Sequence, residues 1–247
     1  MVTPRPDYGD VSPFQLDSLE TADTALGDSL LHVSEKVDVP AIASMSLAAI
    51  DAAEHLLAEV ERFAAPNASA HGRRSLPHYN GSRITFGGQT SMVTGSILYL
   101  GLTDWGPVVV GDSSSNTYEG SFALIIDLGG DDTYNLASNP KTSFSLVIDK
   151  AGNDTYRSTG GAGIAGALFG TSIVMDLAGN DTYQAGDISL GAGIYGTGIL
   201  YDRAGDDTYN SGAFSQGAGF LGVGLLCDAA GNDTYTAAME SQAFGYV

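Results

Sequence analysis

Five short apolar runs punctuate the second half of the chain: Leu124-Ile125-Ile126, Leu146-Val147-Ile148, Ile173-Val174-Met175, Ile199-Leu200-Tyr201 and Leu225-Leu226-Cys227. Large and β-branched residues bounded by turn formers predict strands. Neighbouring residues of a strand face opposite sides. Val147, Val174, Leu200 and Leu226 therefore form one column, opposed to Ile173/Met175 and Ile199/Tyr201. If one set fills an interior, the other makes an apolar stripe outside, which N-terminal helices or another chain must cover.

The first part of the chain has a different period. Asp38-Val39-Pro40 predicts a helix start, with Pro tolerated in the first turn. Ile42, Met45, Ala49, Ala53, Leu56, Val60 and Phe63 then recur every three or four residues as one apolar stripe, and Pro66 ends it. Leu19, Ala22, Leu26, Leu30 and Val33 repeat the pattern more weakly, with Gly27 as a flaw. Helices this short need something to pack on, which predicts an α-helical hairpin or a cap over the end of the strand-rich region. Pro66-Asn67-Ala68-Ser69-Ala70-His71-Gly72-Arg73-Arg74 reads as loop. The expected division is a helical segment over 1–66, a linker over 67–90 and a repeat region over 91–247.

Each apolar run leads into the block Asp-x-x-Gly-(Asn/Asp)-Asp-Thr-Tyr, at Asp127–Tyr134, Asp149–Tyr156, Asp176–Tyr183, Asp202–Tyr209 and Asp228–Tyr235. A degenerate sixth copy precedes them and ends in Asn116-Thr117-Tyr118. The tyrosines at 118, 134, 156, 183, 209 and 235 are separated by 16, 22, 27, 26 and 26 residues. After each Tyr comes a polar stretch and then a Gly/Ala-rich run such as Gly191-Ala192-Gly193-Ile194-Tyr195-Gly196-Thr197-Gly198. Strands and turns at a settled period define a solenoid. At about 3.3 Å per extended residue, such a coil has a contour of roughly 70–85 Å, enough for two or three short faces. The prediction is a mainly β fold, a parallel β-helix with coils of 26 residues and a tapered start.

Equivalent residues of successive coils then lie about 4.8 Å apart. Tyr134, Tyr156, Tyr183, Tyr209 and Tyr235 become an aromatic ladder inside the structure. The columns Gly170/Gly196/Gly222 and Ser172/Gly198/Gly224 allow tight bends or close backbone approach. Most telling are the carboxylates at the first, fifth and sixth positions of each block. They are Asp127, Asp131 and Asp132; Asp149 and Asp154; Asp176 and Asp181; Asp202, Asp206 and Asp207; Asp228 and Asp233. Asn153, Asn180 and Asn232 supply amide oxygens at the fifth position.

Composition gives this column its weight. The chain of 247 residues has 29 acidic and 10 basic residues, a formal net charge of −19. Residues 91–247 hold 17 of the acids and 27 of the 33 glycines, and 12 of those acids lie in the five turns. Two carboxylates about 4.8 Å apart repel by roughly 1 kcal/mol in water and more at lower dielectric. Lys150 and Arg203 are the only bases within the blocks, too few to compensate. Calcium accepts six to eight carboxylate, amide and carbonyl oxygens, so Ca2+ is the expected cofactor and all fifteen Asp and Asn residues are candidate ligands. The competing reading needs no metal, because Asp and Asn side chains also cap turns by accepting backbone N–H groups.

Gly152-Asn153-Asp154-Thr155-Tyr156 and its copies resemble the core of the RTX calcium-binding nonapeptide G-G-x-G-x-D-x-U-x of secreted bacterial proteins. The matching pairs are Gly130/Asp132, Gly152/Asp154, Gly179/Asp181, Gly205/Asp207 and Gly231/Asp233, with Tyr at the apolar position. That resemblance implies a calcium site at each turn and secretion into millimolar calcium. The pattern departs from the family in two ways: the leading Gly-Gly is replaced, and the repeat does not recur at nine or eighteen residues.

Several function classes are excluded or thin. The acidic balance opposes a nucleic-acid backbone or an anionic membrane, and no apolar run approaches the roughly 18 residues of a membrane helix. A single cysteine, Cys227, rules out a disulfide scaffold. Met1-Val2-Thr3-Pro4 shows no apolar export signal. No HExxH, GxSxG, P-loop or CxxC occurs, and a column repeated five times looks like architecture, so no enzyme is expected. Ser241–Val247 aligns with Ser215–Leu221, so the chain stops in mid-coil, as part of a longer array or docked on a neighbour. The expected function is a secreted or cell-surface structural solenoid, calcium-stabilised, serving adhesion, matrix or filament assembly through self-association. The alternatives are a β-helix that binds or cleaves glycans, and a spacer or passenger of a larger protein.

Overall fold

In the computed structural model, residues 39–64, 78–138, 144–158 and 160–246 are described. The weaker helical pattern at Leu19–Val33 and the Pro66–Arg74 loop lie outside them. The 26-residue helix α1 spans Val39–Ala64, with Pro40 in its first turn as expected.

The solenoid is a parallel β-helix. One face stacks β3 (Gly106–Gly111), β5 (Leu124–Asp127), β7 (Phe144–Asp149), β10 (Thr171–Asp176), β13 (Thr197–Asp202) and β16 (Val223–Asp228). The opposing face stacks β4 (Thr117–Gly120), β6 (Thr133–Leu136), β8 (Thr155–Arg157), β11 (Thr182–Gln184), β14 (Thr208–Ser211) and β17 (Thr234–Ala237). A third, narrow face comes from the Gly/Ala runs: β9 (Ala167–Leu168), β12 (Gly193–Ile194), β15 (Gly219–Phe220) and β18 (Gly245–Tyr246). Register is strict: Val147, Val174, Leu200 and Leu226 pair in succession, as do Tyr134, Tyr156, Tyr183, Tyr209 and Tyr235.

The start of the stack differs from the expected linker over 67–90. Strand β1 (His78–Phe86) forms an antiparallel hairpin with the 15-residue β2 (Gln89–Thr103). Strand β2 then pairs antiparallel with both β4 and β3, through Met92–Thr94 and Ile97–Thr103 respectively, so it crosses the first coil and covers both faces at that end. Ser82-Arg83-Ile84-Thr85-Phe86 and the Gly87-Gly88 turn carry the hairpin signal. The Pro- and Gly-containing stretch before it hides that signal.

The strand parity sorts the apolar residues as the triplets predict. The middle residues Ile125, Val147, Val174 and Leu200 meet the tyrosines in the interior. Ile126, Leu146, Ile148, Ile173, Met175 and Ile199 form a second cluster outside, packed against Leu57, with Ile50 and Val60 at its margin. The helix thus covers the apolar stripe, and the Lys150–Glu61 ion pair at 2.5 Å pins its second half. Of the expected stripe Val60 packs on this cluster, whereas Leu56 is 38% exposed and its neighbour Leu57 is buried instead. An Ala-rich helix with apolar residues at 50, 56, 57 and 60 offers two adjacent stripes, and the partner surface selects between them.

Tight stacking explains the glycine columns. A Cβ at Gly152, Gly179, Gly205 or Gly231 would strike the carbonyl oxygen of the equivalent glycine one coil back, and at Gly196 and Gly222 it would strike Gly170 and Gly196. The bends themselves use other residues. Ala162, Ile188, Phe214 and Glu240 adopt left-handed φ in successive coils, as do Phe169, Tyr195 and Leu221, although L side chains disfavour that region. Gly179→Ala is expected to destabilise the chain by about 1–3 kcal/mol through overpacking. Gly160→Ala, with nothing within 4 Å of the new methyl, should leave thermal unfolding nearly unchanged.

Candidate metal centre

From β5 onward, each strand of the first face ends in an inward-pointing Asp, because Asp127 follows the inward Ile125 by two residues and its equivalents do the same. The chain then turns through Gly at the fourth position and re-enters with a second inward Asp just before Thr-Tyr. Asp127, Asp132, Asp149, Asp154, Asp176, Asp181, Asp202 and Asp207 are all buried, while Asp228 and Asp233 are half-buried.

The two columns have different partners. In the first, one carboxylate oxygen of Asp127, Asp149 and Asp176 accepts the amide two residues on, from Gly129 at 2.8 Å, Ala151 at 2.8 Å and Ala178 at 3.2 Å, whereas Asp202 Oδ1 is buried with no partner. The other oxygen accepts a phenol from the preceding coil: Tyr118 to Asp127, Tyr134 to Asp149, Tyr156 to Asp176 and Tyr183 to Asp202, the last two at 2.7 Å. Asn116 donates its side-chain amide to Asp127 as well, at 3.1 Å. Tyr235 donates to Asp228 of its own coil at 2.5 Å.

In the second column, Oδ1 accepts a backbone amide from the coil before: Asn116 to Asp132 at 2.5 Å, Asp132 to Asp154 at 2.6 Å, Asp154 to Asp181 at 2.6 Å, Asp181 to Asp207 at 2.7 Å and Asp207 to Asp233 at 2.9 Å. Oδ2 of Asp132, Asp154, Asp181 and Asp207 is buried with no hydrogen-bond partner. Buried polar atoms are rarely left so.

The fifth-position residues are elsewhere. Asp131, Asn153, Asn180, Asp206 and Asn232 lie on the outside of the turn, where Oδ1 of each of the first four accepts the backbone amide of its equivalent in the next coil at 2.7–3.0 Å. They cap the stack as Asx residues do, apart from the inward clusters. The tyrosine hydroxyls are the functional groups that residue-type patterning missed. Their strict recurrence marked a ladder of rings stacked 4.5–5.1 Å apart, yet nothing local in the sequence pairs a phenol with an Asp 9 to 20 residues later. Nor do the two bases of the blocks enter the interior: Lys150 pairs with Glu61, and Arg203 lines a cleft of about 470 Å3 beneath α1.

Three-carboxylate clusters result: Asp127/Asp132/Asp149, Asp149/Asp154/Asp176, Asp176/Asp181/Asp202 and Asp207/Asp228/Asp233. Within each, one oxygen per residue lies within 4.8 Å of the others. Two oxygens bound to one calcium at about 2.4 Å are separated by no more than about 4.8 Å, so the clusters have the dimensions of a single ion's ligand shell. An all-oxygen donor set suits a hard cation, calcium or magnesium, over zinc or copper. The orphaned Oδ2 atoms supply the missing reason for this arrangement, since a cation would satisfy them. No family model, curated protein or solved structure matches the chain; the likeness to RTX repeats rests on the turn residues alone.

Without a cation, the same burial drives protons onto the column. Desolvation, reinforced by neighbouring carboxylates, pushes Asp132 and Asp154 up to about 9 and Asp181 up to about 10. Asp127 rises only to about 6 and Asp149 to about 7, because phenol and amide donors oppose the desolvation. These folded-state values exceed the ordinary Asp value of about 3.9. The folded chain therefore binds more protons than the unfolded one above about pH 4, and stability falls as pH rises through the raised values. Metal-free protein is expected to melt at a higher temperature at pH 5 than at pH 8 in scanning calorimetry; a higher melting temperature at pH 8 would contradict the interior placement of these groups.

Proposed function

We propose that the chain is a structural β-solenoid of the cell surface or extracellular space, stabilised by calcium held in the interior carboxylate clusters, and serving adhesion, matrix or filament assembly. The observation that carries this reading is the set of fully buried, unpartnered Asp oxygens, repeated coil after coil at the spacing of one ion's ligands. Per coil, two carboxylates are balanced by one divalent cation. Extracellular calcium is abundant enough for weak, rigid oxygen sites to fill, which is the support for a location outside the cell. Among the described residues no helix is long and apolar enough to cross a membrane. Self-association belongs to the same proposal: β16 and β17 lie at the edges of the sheet order, with Leu225 and Tyr235 exposed.

A second reading, glycan binding, is favoured by an open groove of about 520 Å3 whose lining includes Arg157, Ser158, Gln184, Asn210 and Ser211. Saturable binding on a panel of neutral and acidic glycans would support it, and silence across the panel would remove it.

The calcium reading is tested by unfolding. At about pH 7.5, millimolar calcium is expected to raise the melting temperature well above that in excess chelator, since a ligand at 100 times its Kd stabilises by about 2.7 kcal/mol per site. Identical melting in both conditions would overturn it.

A further inference from the structure

We infer that the interior cations form a carboxylate-bridged file, in which Asp149 and Asp176 each ligate two ions. This rests on the calcium reading above and extends it from separate turn sites to one continuous array. The first three clusters are not independent: Asp149 belongs to the first and second, and Asp176 to the second and third. An ionised carboxylate has about four lone-pair positions. Asp149 uses one on the Ala151 amide and one on the Tyr134 phenol. Asp176 spends the same two on Ala178 and Tyr156. Two positions remain on each, one for the ion on either side.

Asp127 fits the same count from the opposite direction. It accepts from Gly129, Tyr118 and the Asn116 side chain, which leaves one position, and it enters a single cluster. Asp132, Asp154 and Asp181 each contribute a buried Oδ2 with no protein donor, one per cluster, in residues only 2%, 1% and 1% exposed. Seven carboxylates thus surround three ion positions. Three divalent ions reduce their charge from −7 to −1, and a bridging carboxylate between neighbouring ions offsets the repulsion that a spacing of about 4.8 Å would otherwise impose.

The file is tested by counting ions. Native mass spectrometry in millimolar calcium, on the whole chain, is expected to show Asp149→Asn losing two ions relative to the unmodified protein and Asp127→Asn losing one. Equal losses in the two variants would overturn bridging. Crystals of the unmodified protein grown with strontium give a readout that needs no substitution: three consecutive anomalous peaks about 4.8 Å apart along the column, flanking Asp149 and Asp176, support the file. Peaks in alternate coils only, or at the outer turn beside Asp131 and Asn153, overturn it. An unmodified protein that retains no ion in either experiment overturns the calcium reading itself, an outcome distinct from bound but unbridged ions.

Discussion

Because the coils pair in parallel and in register, each side chain sits about 4.8 Å from its twin in the next coil, and the backbone ladder holds that distance whether the twins attract or repel. For Tyr134, Tyr156, Tyr183 and Tyr209 this is favourable: nearly parallel rings stack with centroids 4.5–4.8 Å apart. For the glycine columns it is a limit, since the carbonyl of one coil occupies the place of a methyl in the next. For the aspartates it is a cost that the fold must offset, because the ladder does not let the carboxylates move apart.

The fold offsets that cost in layers. Backbone amides satisfy one oxygen of every inward Asp pair, and phenols from the tyrosine ladder satisfy an oxygen of the first-column Asp in most coils. Those donors keep Asp127 and Asp149 less perturbed than Asp132 and Asp154. They do not reach the second-column Oδ2. A proton or a cation must satisfy that atom. A proton on the second-column carboxyl neutralises that carboxyl alone, whereas a divalent ion per coil balances both members of a pair.

Much of this was legible in the residues. Repeat period, strand positions, the inward and outward parity of the triplets and the helix from Val39 follow from spacing alone, since the physics of strands and helices is periodic. Three things were not. Position five and position six of each block differ only by one residue, yet Asn153 faces water and Asp154 faces the core; an Asp-rich turn reads as one acidic edge until the strand after it fixes its parity. The left-handed corners fall on Ile188, Phe214 and Tyr195, residues chosen for what they pack on and not for φ. The β1–β2 hairpin pairs antiparallel to everything else in the stack, so the repeat that reveals the coils says nothing of it.

The degenerate first copy then acquires a reason. A column of stacked carboxylates has to terminate, and at the end covered by β2 the sixth-position Asp is replaced by Asn116. Its backbone amide still donates to Asp132, and its side chain donates to Asp127. A carboxylate there would add a negative charge beside two others, in a place where Gly95 and Gly111 already approach the side chain closely. The Asn116 backbone N–H keeps its place in the ladder of the repeat, while its side-chain oxygen, buried without a hydrogen-bond partner, adds no charge. Departure from the repeat at Asn116 is therefore the point where the demands of packing continue and the demands of the charge column stop.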